Sequence, residues 1–405
     1  MKFGVVGCGQ FASNFARLWH LHPSTKEVWV TDLIPERATA LAEREGFAGT
    51  MGSFEEMLAS DVDAIALMTQ RWTHGPLAIE ALRAGKHVYS AVPMAVTVDE
   101  VSGIIDAVTE TGNVYMMGET HYYYPVAVWA RQAQAEGRFG RLFYAEGDYV
   151  HDMDHGFYKA YQFSGGENWK STASYPPMLY PTHAMGGVMA AWDTHVVSAS
   201  ALGSVDDRGD GVFDKEVSMF DNDFSNMTAL FETADNGMIR TNEFRRVGAA
   251  SQLNESQFRY FGTDGVLEQG MAGSRYVTRT DDTDLTEDLR TKKPNLDDAA
   301  LAELDPALVE SFASGCAPVH DRSRLPKVFD GAPNGHLGSH HYLADDFVRA
   351  VVAGQQPPVN AWKAARINLP GIVAWDSARQ GGARLPVPDF GECPLPIVDT
   401  TSPAR

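Results

Sequence analysis

Cysteine is scarce in this sequence: Cys8, Cys316 and Cys393 are the only three in 405 residues. Three scattered thiols cannot form a disulfide framework. They read as free thiols in a reducing compartment, and the expected location is the cytoplasm. Basic residues are outnumbered, 33 Lys and Arg against 53 Asp and Glu, for a formal net charge of −20. That field repels phosphate backbones and anionic lipid, so neither nucleic acid nor a membrane is an expected partner. A locally basic pocket could still take a small anion. Long apolar runs are missing too: none approaches the ~20 residues of a membrane helix. Residues 1–12 read as a strand and turn rather than a secretory leader. There is no internal repeat and no low-complexity segment. What remains is 44% hydrophobic and 21% charged, an ordinary composition for a chain of roughly two to three domains.

The first third alternates strand and helix patterns. Short apolar runs occur at 3–7, 28–31, 64–68, 87–90 and 114–117. Helix patterns lie between them, one opened by Pro35 and others near 75–84 and 97–110. Repeated β-α-β units at this spacing imply a parallel sheet covered on both faces. After residue 121 the pattern changes. A helix over 125–136 precedes longer strands at 142–150, 194–203, 226–234, 237–246 and 256–268. Turn signals at Asp235-Asn-Gly237 and Thr263-Asp-Gly265 mark an antiparallel arrangement. The expected architecture is an α/β Rossmann domain over 1–121 plus an α+β domain over 122–405 with a large, mostly antiparallel open sheet. Residues 269–335 are polar and Asp-rich and read as a long excursion or lid. Helices near 338–353 and 361–380 close the chain and could pack back on the first domain.

Gly7-Cys-Gly9-Gln-Phe-Ala12 sits between a predicted strand and a predicted helix, the context that gives a G-x-G-x-x-G/A match its weight. Gly7 permits the tight turn and Gly9 lets the backbone approach a pyrophosphate. Ala12 allows close helix–strand packing, and Gln10 and Phe11 open the helix whose N-terminus attracts phosphate. Asp32 ends the second strand, near the spacing expected of a ribose-binding acid. Its neighbours Leu33, Ile34 and Pro35 bring no cation, so NAD is expected over NADP. Thr69, Arg71, Trp72 and His74 follow another strand of the sheet, where such domains place ligand contacts. The plainer alternative is a glycine-rich turn with no ligand.

A Rossmann start followed by an antiparallel sheet resembles the glucose-fructose oxidoreductase / inositol dehydrogenase (Gfo/Idh/MocA) family over most of the chain. The residues that carry the resemblance are 7–12, 69–74 and Ala84-Gly-Lys-His-Val-Tyr-Ser-Ala-Val-Pro-Met94. In the family the last stretch normally reads Gly-Lys-His-Val-x-x-Glu-Lys-Pro, and its Lys relays a proton at the hydroxyl being oxidised. Here Ala91-Val92 replace Glu-Lys and Pro93 is retained, so Ala91 and Pro93 carry over as cofactor contacts, while Val92 cannot transfer a proton. The family's Asp-x-Gly-x-His-x-x-Asp becomes Leu179-Tyr-Pro-Thr-His183-Ala-Met-Gly186, keeping the histidine and losing both acids. A subgroup shares the Val and the Tyr-Pro-Thr-His segment. The chain is similar to that subgroup, NAD-dependent glycoside hydrolases typified by bacterial α-N-acetylgalactosaminidases, also in Gly118-Glu-Thr-His-Tyr-Tyr-Tyr124, Ala145-Glu-Gly-Asp-Tyr-Val-His-Asp152 and Asn168-Trp-Lys170.

The resemblance implies Glu119, Tyr149 and His183 as catalytic groups. It implies His121, Tyr123, His151, Lys170 and Tyr180 as contacts to a small-molecule glycoside, and a homo-oligomer, dimer or tetramer. Apart from the resemblance, Gly335-His-Leu-Gly-Ser-His-His341 precedes a helix, and His336, His340 or His341 is a further candidate contact, with a solvated helix start as the alternative. The implied chemistry is hydrolysis through transient oxidation at carbon 3 of the sugar, proton loss at carbon 2, expulsion of the aglycone, water addition and re-reduction. No carboxylate pair flanking the scissile bond is needed. His183 is the expected base at the carbon-3 hydroxyl and Tyr149 the base at carbon 2, with Glu119 orienting the sugar or assisting water. Plainer roles are a helix cap for His183, a strand aromatic for Tyr149 and a nicotinamide-ribose ligand for Glu119. The cations Arg71, Lys159, Lys170, Arg245 and Arg246 raise an anionic hexoside as substrate, since the chain also looks like NAD-dependent sulfoquinovosidases; scattered surface charge is the alternative. His151-Asp-Met-Asp-His155 has no second cluster at ligand spacing, so no metal is expected. A sugar or cyclitol dehydrogenase, and a non-catalytic NAD- or sugar-binding protein, remain the competing readings.

Overall fold

A computed structural model describes residues 1–248, 255–291 and 314–400. Six strands, β1 (Lys2–Val6), β2 (Glu27–Thr31), β3 (Gly49–Thr50), β4 (Ala64–Leu67), β5 (His87–Ser90) and β6 (Tyr115–Met117), form a parallel sheet in the order β3-β2-β1-β4-β5-β6. Every residue of β4 is buried, which is why it reads as an unbroken apolar run rather than an alternating one. Helices α1 (Gln10–Leu21), α2 (Pro35–Glu45), α3 (Phe54–Ala59), α4 (His74–Arg83) and α5 (Val98–Thr111) provide the crossovers. Strand order reverses between β1 and β4, and a cleft opens at that switch point.

The second sheet has nine strands: β7 (Leu142–Val150), β8 (Val196–Val205), β9 (Phe224–Thr233), β10 (Met238–Phe244), β11 (Ser256–Gly262), β12 (Val266–Gly270), β13 (Gly273–Val277), β14 (Asp282–Asp284) and β15 (Leu385–Pro386). Their order is β14-β13-β12-β11-β7-β10-β9-β8-β15. Only the β7–β10 pair is parallel; the others are antiparallel. Residues 256–268, expected as one strand, fold instead as the β11–β12 hairpin, because Thr263-Asp-Gly265 makes the turn its composition favours.

Six further helices follow among the described residues: α6 (Pro125–Ala135), α7 (Tyr158–Gly165), α8 (Trp169–Ala173), α9 (Thr182–Ala191), α10 (His340–Ala353) and α11 (Ala361–Arg379). Helix α9 is buried along its whole length and lies tightly on the inner face of the second sheet. A Cβ at Gly147 would stand 2.3 Å from the Ala184 carbonyl oxygen. Only glycine on β7 lets the helix come this close, and that approach carries the start of α9 to the cleft.

The stretch 269–335 is not a lid where it is described. Residues 273–284 extend the sheet edge, and Leu325 and Phe329 bury themselves with Phe3, Phe15, Trp19 and Tyr89 of the Rossmann domain. Two well-spaced apolar anchors suffice for this docking and leave no periodic trace in the sequence. Residues 292–313, the middle of that stretch, lie outside the described residues. Helix α10 joins the same core through Tyr342, Leu343 and Phe347, so the C-terminal half is not confined to the second domain. No helix among the described residues is long and apolar enough to cross a membrane.

Arg324 locks this docking. Its guanidinium lies 3.0 Å from Asp345 and 2.7 Å from Asp346, both wholly buried, and Asp346 also accepts from the Tyr123 hydroxyl. Removing one partner of such a cluster strands uncompensated charge. Arg324→Ala is therefore expected to cost about 3–5 kcal/mol, read from urea denaturation; a loss under about 1 kcal/mol would contradict the assignment.

Candidate active site

The cleft between the two sheets has a volume of about 1090 Å³. At one end lie Gly7, Gly9, Gln10, Phe11 and Asp32. Gly7 has φ +95°, and a Cβ there would meet the Met68 carbonyl oxygen at 2.7 Å, so the turn demands glycine. A Cβ at Gly9 would meet nothing within 4 Å: the space over the start of α1 is open. The Asp32 carboxylate accepts from the Cys8 amide at 2.6 Å and the Ile34 amide at 2.8 Å, which pins it at the rim. An open helix N-terminus, a rim carboxylate and a cleft of this size fit a dinucleotide. Thr69, Arg71, His74 and Ala91 also face the cleft. Ala12 and Pro93 do not: Ala12 is buried in the helix–sheet contact, and the Pro93 carbonyl accepts from His74.

One cation near Asp32 was passed over in the sequence. Arg37 lines the cleft, but its guanidinium donates to the Phe163 carbonyl at 2.7 Å and lies 4.0 Å over that residue's ring. Phe163, Ser164, Gly165 and Gly166 face the Asp32 end of the cleft. Among the described residues the cover over the cofactor groove is thus the segment around α7.

At the other end α9 presents His183 from its second position. The Nδ1 of His183 donates to Glu119 Oε1 at 2.8 Å, leaving Nε2 for the cleft. Glu119 Oε1 also accepts from the His121 amide at 2.8 Å. Burial alone would raise the Glu119 pKa, but His183 and His121 hold it well below the usual carboxylate range. Glu119 is fully buried and stands behind His183, so it cannot orient a sugar or assist water; it fixes the tautomer of His183. The sequence explains its room. A Cβ at Gly186 would stand 2.5 Å from Glu119 Cγ. Where the related motif carries an Asp on this helix, glycine makes space for a carboxylate supplied by the 118–121 loop.

Tyr149, Tyr180, His151, His336 and Glu255 share the cleft wall with His183. The Tyr149 ring lies 4.7 Å from the His183 ring, Tyr180 5.0 Å and His336 6.5 Å. Desolvation pushes the Tyr149 hydroxyl well above its ordinary pKa, and His151 and His336 well below theirs. His336 and Leu337 both have positive φ, +45° and +52°, strain of the kind that collects at functional sites.

Three expected substrate contacts do not reach the cleft. His121 is buried behind His183, with its Nε2 at Ser256 Oγ, and burial drives its pKa to about 3. Tyr123 belongs to the Arg324–Asp346 cluster. Lys170 donates to the Asp210 carbonyl at 2.8 Å, turned away from the site. Sequence adjacency suggested all three; the alternation of side chains around a 3-10 turn and a short helix sent them elsewhere. Glu119, His121 and His183 also bring their ligand atoms within 4.8 Å of one another, a convergence not visible from the 151–155 cluster, and hydrogen bonds among them already use those atoms.

Arg71 has no carboxylate partner among the described residues. Its guanidinium lies 4.5 Å from the Tyr180 ring centre, 5.2 Å from Tyr161 and 5.4 Å from Tyr175, and donates to the Tyr161 hydroxyl. Arg71, Tyr161, Tyr175, Tyr180 and Arg245 line one small cavity, and Arg245 is paired with Glu243 at 2.8 Å. Arg246 is held by Asp206 and Asp210.

Residues 1–119 match the Gfo/Idh/MocA family model described as oxidoreductase family, NAD-binding Rossmann fold, so the first domain is similar to the NAD-binding domains of that family. The chain is 31% identical over 163 residues to an alpha-N-acetylgalactosaminidase of Bacteroides fragilis, a match over 39% of this chain and 38% of that relative. It thus spans under half the length of that curated relative. A glycosyl hydrolase family 109 protein of Saccharopolyspora erythraea is 23% identical over 436 residues, 100% of this chain and 87% of the relative. Among solved structures, levoglucosan dehydrogenase in complex with NADH and levoglucosan has the same fold, with TM-score 0.69 and 16% identity, covering 96% of this chain and 100% of that one.

Two substitutions test the site. Asp32→Ala is expected to weaken NAD about ten- to a hundredfold by calorimetry, the worth of a charge-assisted hydrogen bond. Gly186→Ala is expected to displace Glu119 and cost about 1–3 kcal/mol by thermal denaturation, with NAD affinity unchanged.

Proposed function

We propose that the chain is a NAD-dependent glycoside hydrolase that works by transient oxidation at carbon 3 of a sugar. The observation that carries this reading is the Glu119–His183 pair with Tyr149 beside it, facing the cleft wall where Val92 stands in place of the family lysine. Bound NAD would supply the oxidation and its reversal. His183 Nε2, its tautomer set by Glu119, takes the proton of the carbon-3 hydroxyl. The Tyr149 oxygen takes the proton at carbon 2 once a neighbouring ketone has acidified it. The enolate expels the aglycone, and the same groups return their protons as water adds. The similarity to curated glycosyl hydrolase family 109 proteins supports this reading.

For the substrate we infer an anionic hexoside such as a sulfoquinovoside. The support is Arg71, a cation among tyrosines with no carboxylate beside it among the described residues, at the edge of the site. We place the protein in the cytoplasm, where three unpaired cysteines stay reduced. We also infer a homo-oligomer, dimer or tetramer, supported by exposed Leu202, Leu230 and Met238 on the outer face of the second sheet. The second reading, an NAD-dependent sugar or cyclitol dehydrogenase, is favoured by the fold shared with levoglucosan dehydrogenase.

An NMR time course in heavy water separates the two. Protein and NAD are given para-nitrophenyl α-N-acetylgalactosaminide and para-nitrophenyl α-sulfoquinovoside. Cleavage with deuterium at carbon 2 and no net NADH is the expected result; a keto-sugar with equimolar NADH and an intact glycosidic bond would leave the dehydrogenase. His183→Ala and Tyr149→Phe are each expected to slow cleavage about a hundred- to ten-thousandfold with NAD still bound. Arg71→Met is expected to raise KM for the anionic glycoside about tenfold or more relative to the neutral one.

A further inference from the structure

Tyr149 presents a physical difficulty. A tyrosine removes a proton only if its own hydroxyl proton can leave, and here the hydroxyl is buried. Arg245 lies 4.7 Å over the Tyr149 ring, but it is already paired with Glu243. Something nearby must accept the tyrosine proton, and the ladder places one carboxylate there. Ser256 of β11 stands opposite Tyr149 of β7. The next residue outward, Glu255, accepts at its main-chain oxygen from the Val150 amide at 2.7 Å. Its side chain turns into the cleft beside Tyr149, His151 and His183.

We propose that Glu255 accepts the hydroxyl proton of Tyr149 as the Tyr149 oxygen draws the proton from carbon 2 of the oxidised sugar. This rests on the glycosidase reading above. The C2–H bond breaks, and its electron pair forms the enolate with the carbon-3 ketone; NAD⁺, when bound, would supply the oxidation that makes this ketone by accepting the carbon-3 hydride. The C2 proton goes to the Tyr149 oxygen, and the Tyr149 proton goes to Glu255, which ends as a carboxylic acid. Rehydration and reketonisation run the two transfers backwards, so the pair is restored at each turnover.

The groups around Glu255 suit this role. His151 Nε2 lies 3.6 Å from its Oε1. Tyr149 on β7, His183 on α9, His155 on the following turn and Arg245 beyond β10 complete its charged and polar surroundings. Burial raises the Glu255 pKa, opposed by His183, Tyr149, His155 and Arg245. A carboxylate of raised basicity is a better acceptor for a reluctant tyrosine proton. Glu255 acts through Tyr149 and is a positioning and proton-accepting residue. Its sequence context, Asn254-Glu-Ser256, is that of any polar strand start.

The test measures carbon-2 deuterium exchange with the two para-nitrophenyl glycosides in heavy water, alongside the near-ultraviolet absorbance of reduced nicotinamide. In Glu255→Gln, exchange is expected to fall about a hundredfold or more, while reduced nicotinamide still forms with the glycosidic bond intact and NAD affinity and thermal midpoint match wild type. Glu255→Asp, which keeps the acid on a shorter arm, is expected to recover about tenfold over Glu255→Gln. The wild-type exchange rate should fall on the acid side at a pH above the ordinary glutamate range, as Glu255 protonates, and Glu255→Asp should move that limb. Exchange in Glu255→Gln within about threefold of wild type, or an acid limb unmoved in Glu255→Asp, overturns the proposal and leaves the glycosidase reading standing. Wild-type cleavage without any carbon-2 exchange overturns both.

Discussion

The approach of α9 to the second sheet governs the site. Gly147 on β7 permits a backbone contact that no side chain would allow, and the helix thereby carries His183 to the cleft wall with its Nδ1 facing Glu119. Gly186 on the same helix leaves the volume that Glu119 fills. A buried carboxylate is costly unless hydrogen-bonded and paired. Glu119 meets that condition through His183 and the His121 amide, and the pairing fixes which nitrogen of His183 is free. The rest of the wall, Tyr149, Tyr180 and His336, is arranged around that ring.

The cover over the groove follows from a second constraint. Among the described residues Arg71 has no acid to neutralise it and is instead surrounded by aromatic faces, an arrangement that suits a delocalised guanidinium. Tyr161, which accepts from it, belongs to α7, and Phe163 of the same helix stacks on Arg37. Two arginines of the Rossmann domain therefore hold one segment of the second domain over the cofactor groove. Both contacts use cations of an otherwise acidic protein, which places positive potential at the groove despite a net charge of −20.

Much of the fold was legible because it rests on period and punctuation. Buried parallel strands read as apolar runs, Gly7 and Gly9 mark a turn, and Asp235-Asn-Gly237 and Thr263-Asp-Gly265 mark hairpins. The described parts of 269–335 depart from the expected lid because docking through Leu325 and Phe329 needs two anchors and no pattern. Tyr123 shows the same limit at a single residue: it sits between site residues in sequence, yet its hydroxyl turns to Asp346 in another core. Lys170 and His121 fail as substrate contacts for the same reason, since neighbouring positions on a short turn point in different directions.

Local chemistry alone was enough to specify a nucleotide-binding turn, a strand-end acid and a histidine on a helix start, because each depends on residue type at short spacing. The pairing of Glu119 with His183, the contact of Arg71 with Tyr161 and the placement of Glu255 beside Tyr149 could not be read that way. They join residues 64, 90 and 106 positions apart in the chain. Whether such groups meet is settled by helix-on-sheet packing and strand register, and a register shift of one residue would have turned Tyr149 to the opposite face.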